Sequence, residues 1–169
     1  AKANGVKGFV YLSTMETYGN PTTDDKINEK SPAYLDSTAA RSCYPESKRL
    51  CECLCSSYYS EYGVPAKIVR LTQTFGEGVS YDDKRVFAEF SRCAIEGRNI
   101  VLKTKGETKR NYLFVGDAVA AVLTVLLKGE NGEAYNAANE ETYCSIYDMA
   151  NMVASEFGGG KIKVVIDES

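Results

Sequence analysis

The stretch CYPESKRLCECLCSSYYSEYGVPAKIVRL, residues 43–71, decides how this sequence folds. Cys43 to Tyr62 reads as a helix, stopped by Gly63 and Pro65. Ala66 to Leu71 then reads as a strand. Upstream, Gly8 to Ser13 (GFVYLS) is a short buried strand, followed by a long polar segment from Thr14 to Arg41 containing Pro21 and Pro32. Downstream, Thr72 to Asp83 is a glycine-containing loop and Val86 to Glu96 a helix ending at Gly97. Asn99 to Lys103 is a short strand, and Tyr112 to Val115 an extended piece entering a helix from Asp117 to Leu127. Glu133 to Ala138 is a strand, Ser145 to Phe157 a helix and Lys161 to Ile166 a last strand, the final two joined by a flexible turn at Gly158-Gly159-Gly160. Strands alternating with helices predict an α/β fold, with a parallel or mostly parallel sheet covered by helices. The Thr14 to Arg41 connection is too long for a plain link, and such loops usually carry function. Its first corner, Ser13 to Gly19, leaves a strand at the carboxyl end, where ligands gather in open α/β sheets.

Composition narrows the function classes. With 44% hydrophobic and 25% charged residues the 169-residue chain has the profile of a soluble globular domain, which argues against disorder and a membrane class. A formal charge of -3 without a Lys/Arg block argues against nucleic-acid binding. Ala1 to Gly8 lacks a signal-peptide core. Six cysteines accompany no histidine. On a helix Cys53 points away from Cys51 and Cys55, and no histidine can complete a metal set, so the cysteines read as buried, reduced thiols of a cytoplasmic protein. The missing histidine also removes any Ser-His or Cys-His catalytic pair.

Tyr44-Pro45-Glu46-Ser47-Lys48 is the sharpest chemical signal. Residues four apart share a helix face, so one phenol and one ammonium can serve one site. An unperturbed phenol is a poor base at neutral pH, and a neighbouring ammonium favours the phenolate form. Such a pair can take a hydroxyl proton while hydride moves to a nicotinamide. Alone, Y-x-x-x-K is a weak pattern in a chain with twelve tyrosines.

Its surroundings strengthen it. FVYLSTMETYG at 9–19 precedes CYPESKRLCE at 43–52, followed by VRLTQTFG at 69–76 and KRNYLFVGDA at 109–118. This ordered set resembles the extended short-chain dehydrogenase/reductase family, in its NAD-dependent epimerase/dehydratase branch acting on nucleotide sugars. The T-x-E-x-Y-G and R-S-C-Y-x-E-x-K-R elements look most like UDP-glucuronate decarboxylases. The resemblance implies a partial Rossmann-like parallel sheet with helices, corresponding to the later part of such an enzyme. Residues 1–78 would be the late Rossmann part carrying the catalytic residues. Residues 79–169 would begin the substrate-binding part, mixed with the last Rossmann elements. It further implies NAD as cofactor, a nucleotide-sugar substrate and a homodimer.

By position, the resemblance makes Thr14 the hydroxyl that bonds the sugar, Tyr44 the general base and Lys48 the residue that binds the nicotinamide ribose. Glu16 matches the carboxylate that decarboxylases and some dehydratases place beside the sugar. Arg110 matches an arginine holding the nucleotide diphosphate, with Arg85 a second candidate and Gln73 facing the substrate phosphate. Met15 stands where dTDP-glucose 4,6-dehydratases carry an Asp general acid, Gln73 where many members have Asn, and Asn111 replaces a common Asp. No match exists for the family's glycine-rich strand–turn–helix that receives the pyrophosphate. This implies a fragment of a longer enzyme, inactive alone. The competing readings are a 4-epimerase or 4,6-dehydratase, a net NAD(P)H-dependent reductase, and a non-catalytic assembly module using Tyr58, Tyr59 and Tyr62.

Overall fold

The computed structural model describes residues 1–20 and 25–167. Along the chain run β1 (Phe9–Thr14), α1 (Cys43–Tyr62), β2 (Ala66–Leu71), β3 (Gln73–Phe75), α2 (Val86–Glu96), β4 (Ile100–Leu102) and β5 (Lys109–Arg110). There follow β6 (Tyr112–Phe114), α3 (Val115–Lys128), β7 (Ala134–Ala137), β8 (Cys144–Ser145), α4 (Ile146–Phe157) and β9 (Val164–Ile166). The chain divides into two compact units, residues 1–74 with 115–138, and residues 75–114 with those from 139 onward.

In the first unit β2 is the central strand of a parallel sheet in the order β1-β2-β7. Its first four residues are buried, with Val69 fully enclosed. This matches a strand covered on both faces, and α1 and α3 both pack on the sheet. Helix α1 ends at Gly63, whose φ of 65° is the left-handed conformation that a side chain resists. Its N–H reaches back to Tyr58 and Tyr59, so the stop read from sequence is a hydrogen-bonded cap.

The second unit has its own core. Phe90 and Cys93 of α2, Ile100 and Leu102 of β4, Ala150 of α4 and Ile162 pack together. Strands β4 and β9 pair in parallel, while β5 and β8 form a two-residue antiparallel ladder. Ser145 caps α4 reciprocally with Asp148, each side chain bonding the other's backbone N–H.

Two expectations need correction, on the short strands and on the cysteines. The polar segment after Thr14 holds 3-10 turns at Met15–Tyr18 and Ala40–Ser42 and a bridge between Gly19 and Tyr34. Residues 21–24 of that segment, Pro21 among them, lie outside the described residues. Gly19 is required at the bridge, since its φ is 70° and a Cβ would sit 2.1 Å from the Tyr34 carbonyl oxygen. Strands β5 and β8 were hidden because a two-residue ladder is too short to show a period, and β3 because it lies inside the segment read as a glycine-containing loop, one residue after β2. Finally, of the six cysteines only Cys93 is buried, while Cys43 and Cys53 are exposed and the rest half-buried. A 20-residue helix has a solvent face as well as a core face, and cysteine falls on both.

Candidate active site

Thr14 closes β1 and starts the Met15–Tyr18 turn. Its Oγ1 accepts the Glu16 N–H at 3.3 Å, and its carbonyl accepts the Thr17 hydroxyl at 2.9 Å. The turn leaves Glu16 exposed immediately beyond the strand end. The first turn of α1 carries Tyr44, 46% exposed, and Lys48 follows one turn later. The Lys48 Nζ donates to the Leu12 carbonyl of β1 at 2.9 Å and lies 5.8 Å from the centre of the Tyr44 ring. The tyrosine–lysine face of α1 is thus tied to β1 two residues short of Thr14. Thr14, Glu16, Tyr44, Lys48 and the half-buried Gln73 all belong to the first unit.

A second phenol lies near the same ammonium. The Tyr11 ring centre is 5.0 Å from Lys48 Nζ. Burial first, then hydrogen bonding to Cys51, pushes the Tyr11 phenol well above its ordinary range. It therefore stays protonated wherever a protein works. Burial also pushes the Cys55 thiol up, with neighbouring Cys51 adding to it.

Beneath this face lies a buried polar network. Ser13 donates to Glu52 Oε1 at 2.5 Å. Glu52 is 8% exposed and receives the Arg70 guanidinium through Nε at 3.0 and 3.2 Å and through Nη2 at 2.6 Å. Arg70 Nη1 donates to the Tyr18 hydroxyl at 2.7 Å and to the Glu29 carbonyl at 3.0 Å. Tyr18 in turn donates to Asn136 Oδ1 of β7 at 2.7 Å. Sequence reading missed these residues. The available signal was Arg70, a lone charge in the otherwise apolar end of a buried strand, since an arginine there must be paired. A cavity of about 400 Å³ opens beside the network, lined by Tyr18, Arg49, Glu52, Cys53 and Arg70 among others. None of Thr14, Tyr44 or Lys48 lines it.

Arg85 and Arg110 belong to the second unit. The Arg85 fork closes on Asp83, with Nη2 to Oδ2 at 2.6 Å, and holds that carboxyl down at about 2. Arg110 Nη1 donates to the Lys109 carbonyl at 2.8 Å. Next to it, Asn111 donates its side-chain amide to the Asn139 carbonyl at 3.0 Å. Among the described residues no group of three or more Cys, Asp or Glu is placed to hold a metal ion, and no helix is long and apolar enough to cross a membrane.

Comparison with known proteins identifies the family. Residues 1–138 match the model of the NAD dependent epimerase/dehydratase family. A dTDP-D-glucose 4,6-dehydratase of Mus musculus is 36% identical over 132 residues, covering 78% of this chain and 35% of the mouse protein. UDP-glucuronic acid decarboxylase 1 of Xenopus tropicalis is 29% identical over 160 residues, covering 95% of this chain and 37% of its own. Among solved structures, a dTDP-glucose 4,6-dehydratase of Bacillus anthracis in complex with NAD superposes with a TM-score of 0.79 at 25% identity. That match covers 94% of this chain and 49% of the other. A UDP-glucose 4-epimerase of Thermotoga maritima gives a TM-score of 0.82 at 22% identity, covering 98% of this chain and 56% of the other. The chain thus spans little more than a third of the length of the curated relatives and about half that of the solved ones.

Proposed function

The chain belongs to the NAD-dependent epimerase/dehydratase family, and from that premise we propose that the polypeptide carrying it oxidises C4 of a nucleotide sugar, with Thr14, Tyr44 and Lys48 as its working residues. The observation that carries this reading is the Lys48 ammonium, held on β1 beside the strand end at Thr14 while facing the exposed Tyr44 ring. In this reading the Thr14 hydroxyl orients the sugar hydroxyl and Tyr44 takes its proton. Lys48 has three N–H donors, of which the Leu12 carbonyl takes one, so the others suit the vicinal hydroxyls of a nicotinamide ribose. NAD, when bound, supplies the hydride acceptor at the sugar carbon. We assign none of this chain's residues to the cofactor's pyrophosphate. Arg110 is the better candidate for the substrate diphosphate, because the Arg85 fork is already closed on Asp83. Gln73 is proposed separately as a polar contact to the substrate phosphate.

The finer reading is decarboxylation of a UDP-glucuronate-type substrate. Glu16 offers a carboxylate on the turn directly after Thr14, and Met15 offers no proton for a 4,6-dehydration. Incubating the polypeptide that carries this chain with NAD and a panel of UDP- and dTDP-sugars, with products identified by mass, tests both levels. Loss of CO2 supports decarboxylation, loss of water supports dehydration, and conversion without mass change supports epimerisation. No conversion of any sugar ends the proposal.

Two substitutions sharpen it. Glu16→Gln should abolish most of a decarboxylase activity while leaving an epimerase nearly intact, read as product formed per enzyme. Tyr11→Phe should leave turnover within about threefold of the unmodified protein, below the range expected for a lost general base. A large loss in Tyr11→Phe would place the base on the wrong phenol.

A further inference from the structure

Three segments of the first unit, α1, β1 and β2, meet at one carboxylate. Glu52 lies one helical turn beyond Lys48 on α1, so the two side chains leave the same face of the helix. Glu52 receives the Ser13 hydroxyl from the end of β1 and the Arg70 fork from β2. Arg70 carries the connection onward to Tyr18, which ends the turn that begins at Thr14. Tyr18 is then fixed from two further sides, by Asn136 of β7 and by its own carbonyl, which accepts the Tyr34 N–H at 2.9 Å. Every buried side-chain polar atom among the described residues, this group included, has a partner. A satisfied network of this kind allows one arrangement of its members.

We infer that Glu52 is a positioning residue: through Ser13 it clamps the end of β1, and with Arg70 the Met15–Tyr18 turn, against the helix face that carries Tyr44 and Lys48. The inference rests on the reading of that face as catalytic for its consequence, though the clamp itself is a statement about geometry. Lys48 contributes the clamp's outer point at the Leu12 carbonyl, and Ser13 the inner point one residue later. With Ser13 released, the Lys48 ammonium has no fixed strand end to rest on and samples other rotamers. Glu52 touches neither the proposed sugar nor the proposed cofactor, so its effect must pass through Lys48 and Thr14.

Ser13→Ala is the clean variant, because Glu52 keeps its paired arginine and no buried charge is orphaned. The 169-residue chain is treated with the N-hydroxysuccinimide ester of acetic acid, and the acetylation rate of each lysine is followed by peptide mass spectrometry. Lys48 should react roughly threefold to tenfold faster in Ser13→Ala, the range set by one lost hydrogen bond. Lys84 and Lys105 should keep their rates, and Ser13→Thr should restore the slow rate at Lys48. Glu52→Gln should give an intermediate rate. Unchanged Lys48 reactivity in folded Ser13→Ala overturns the inference, and so does an equal rise at Lys84 and Lys105, which marks general loosening. In the polypeptide that carries the chain, Ser13→Ala should lower kcat more than it raises KM. If no nucleotide sugar is turned over yet Lys48 responds as stated, the proposed activity fails and the clamp stands.

Discussion

Replacing Tyr44 by Phe should lower the turnover of the proposed nucleotide-sugar oxidation by about 10²–10⁴, the loss typical of a removed general acid/base. The ring stays and the hydroxyl goes. Tyr44 is 46% exposed, and the nearby Ser47 hydroxyl bonds its backbone carbonyl, a contact that phenylalanine retains. The stability change should therefore stay within about 0.5 kcal/mol, as for other surface substitutions. The pair of measurements matters more than either alone. A fall in turnover with an unchanged thermal midpoint locates the loss in chemistry, whereas a fall in both would mean that the phenol helps to hold α1. Activity equal to that of the unmodified protein would mean that the base lies elsewhere. Tyr11 is the neighbouring phenol to exclude, and its upward-shifted titration already makes it a poor base.

The parts of this fold that could be read from sequence are those whose causes are local. The helices Cys43–Tyr62 and Val86–Glu96 begin and end where expected because Gly63 and Gly97 adopt φ of 65° and 67° and terminate them by hydrogen bonding. The strand Ala66–Leu71 was legible because it is short, apolar and bounded by Pro65. Tyr44 and Lys48 were legible because a four-residue spacing needs nothing but a helix to become a shared face. The network beneath them was not. Ser13 and Glu52 are 39 positions apart and Tyr18 and Asn136 are 118 apart, so no window on the sequence holds both partners. Glu52 itself sits between Cys51 and Cys53 on α1, and nothing in that window marks its carboxylate as paired until β1 and β2 lie in parallel beside it. The Gly19–Tyr34 bridge was hidden for a related reason, since one bridge carries no periodicity and its cause is a backbone contact rather than a pattern.

The Glu52–Arg70 pair carries the largest stability effect to be expected in the first unit. Glu52 and Arg70 side chains are 9% and 15% exposed, and their closest approach is 2.6 Å. Exposed pairs such as Arg49–Glu46 contribute little, because solvent screens them and two long side chains must be ordered. Removing one partner of a buried pair is different, since the other charge is left without compensation. Arg70→Leu leaves the Glu52 carboxylate enclosed with the Ser13 hydroxyl as its remaining donor, which should cost about 3–5 kcal/mol. Against a total stability of about 5–15 kcal/mol for a natural domain, that is a large share, and it should appear as a clear fall in the urea midpoint. Removing both charges should return much of the loss, because well-packed apolar residues in place of a buried pair are often neutral or stabilising. The Tyr18 phenol keeps its proton throughout: burial raises its titration while Arg70 draws it back, so removing Arg70 raises it further. A group raised in the folded state gives its full contribution below its unfolded value and loses it only as pH climbs through the folded one. Urea melts near neutral pH thus compare the variants with Tyr18 in one protonation state. The double variant Glu52→Leu/Arg70→Leu should accordingly be more stable than Arg70→Leu, yet acetylate as fast at Lys48 as Ser13→Ala does, since stability returns without the clamp. A single Arg70→Leu loss below about 1 kcal/mol would show that the pair behaves as a surface contact and is too weak to hold β1 against α1.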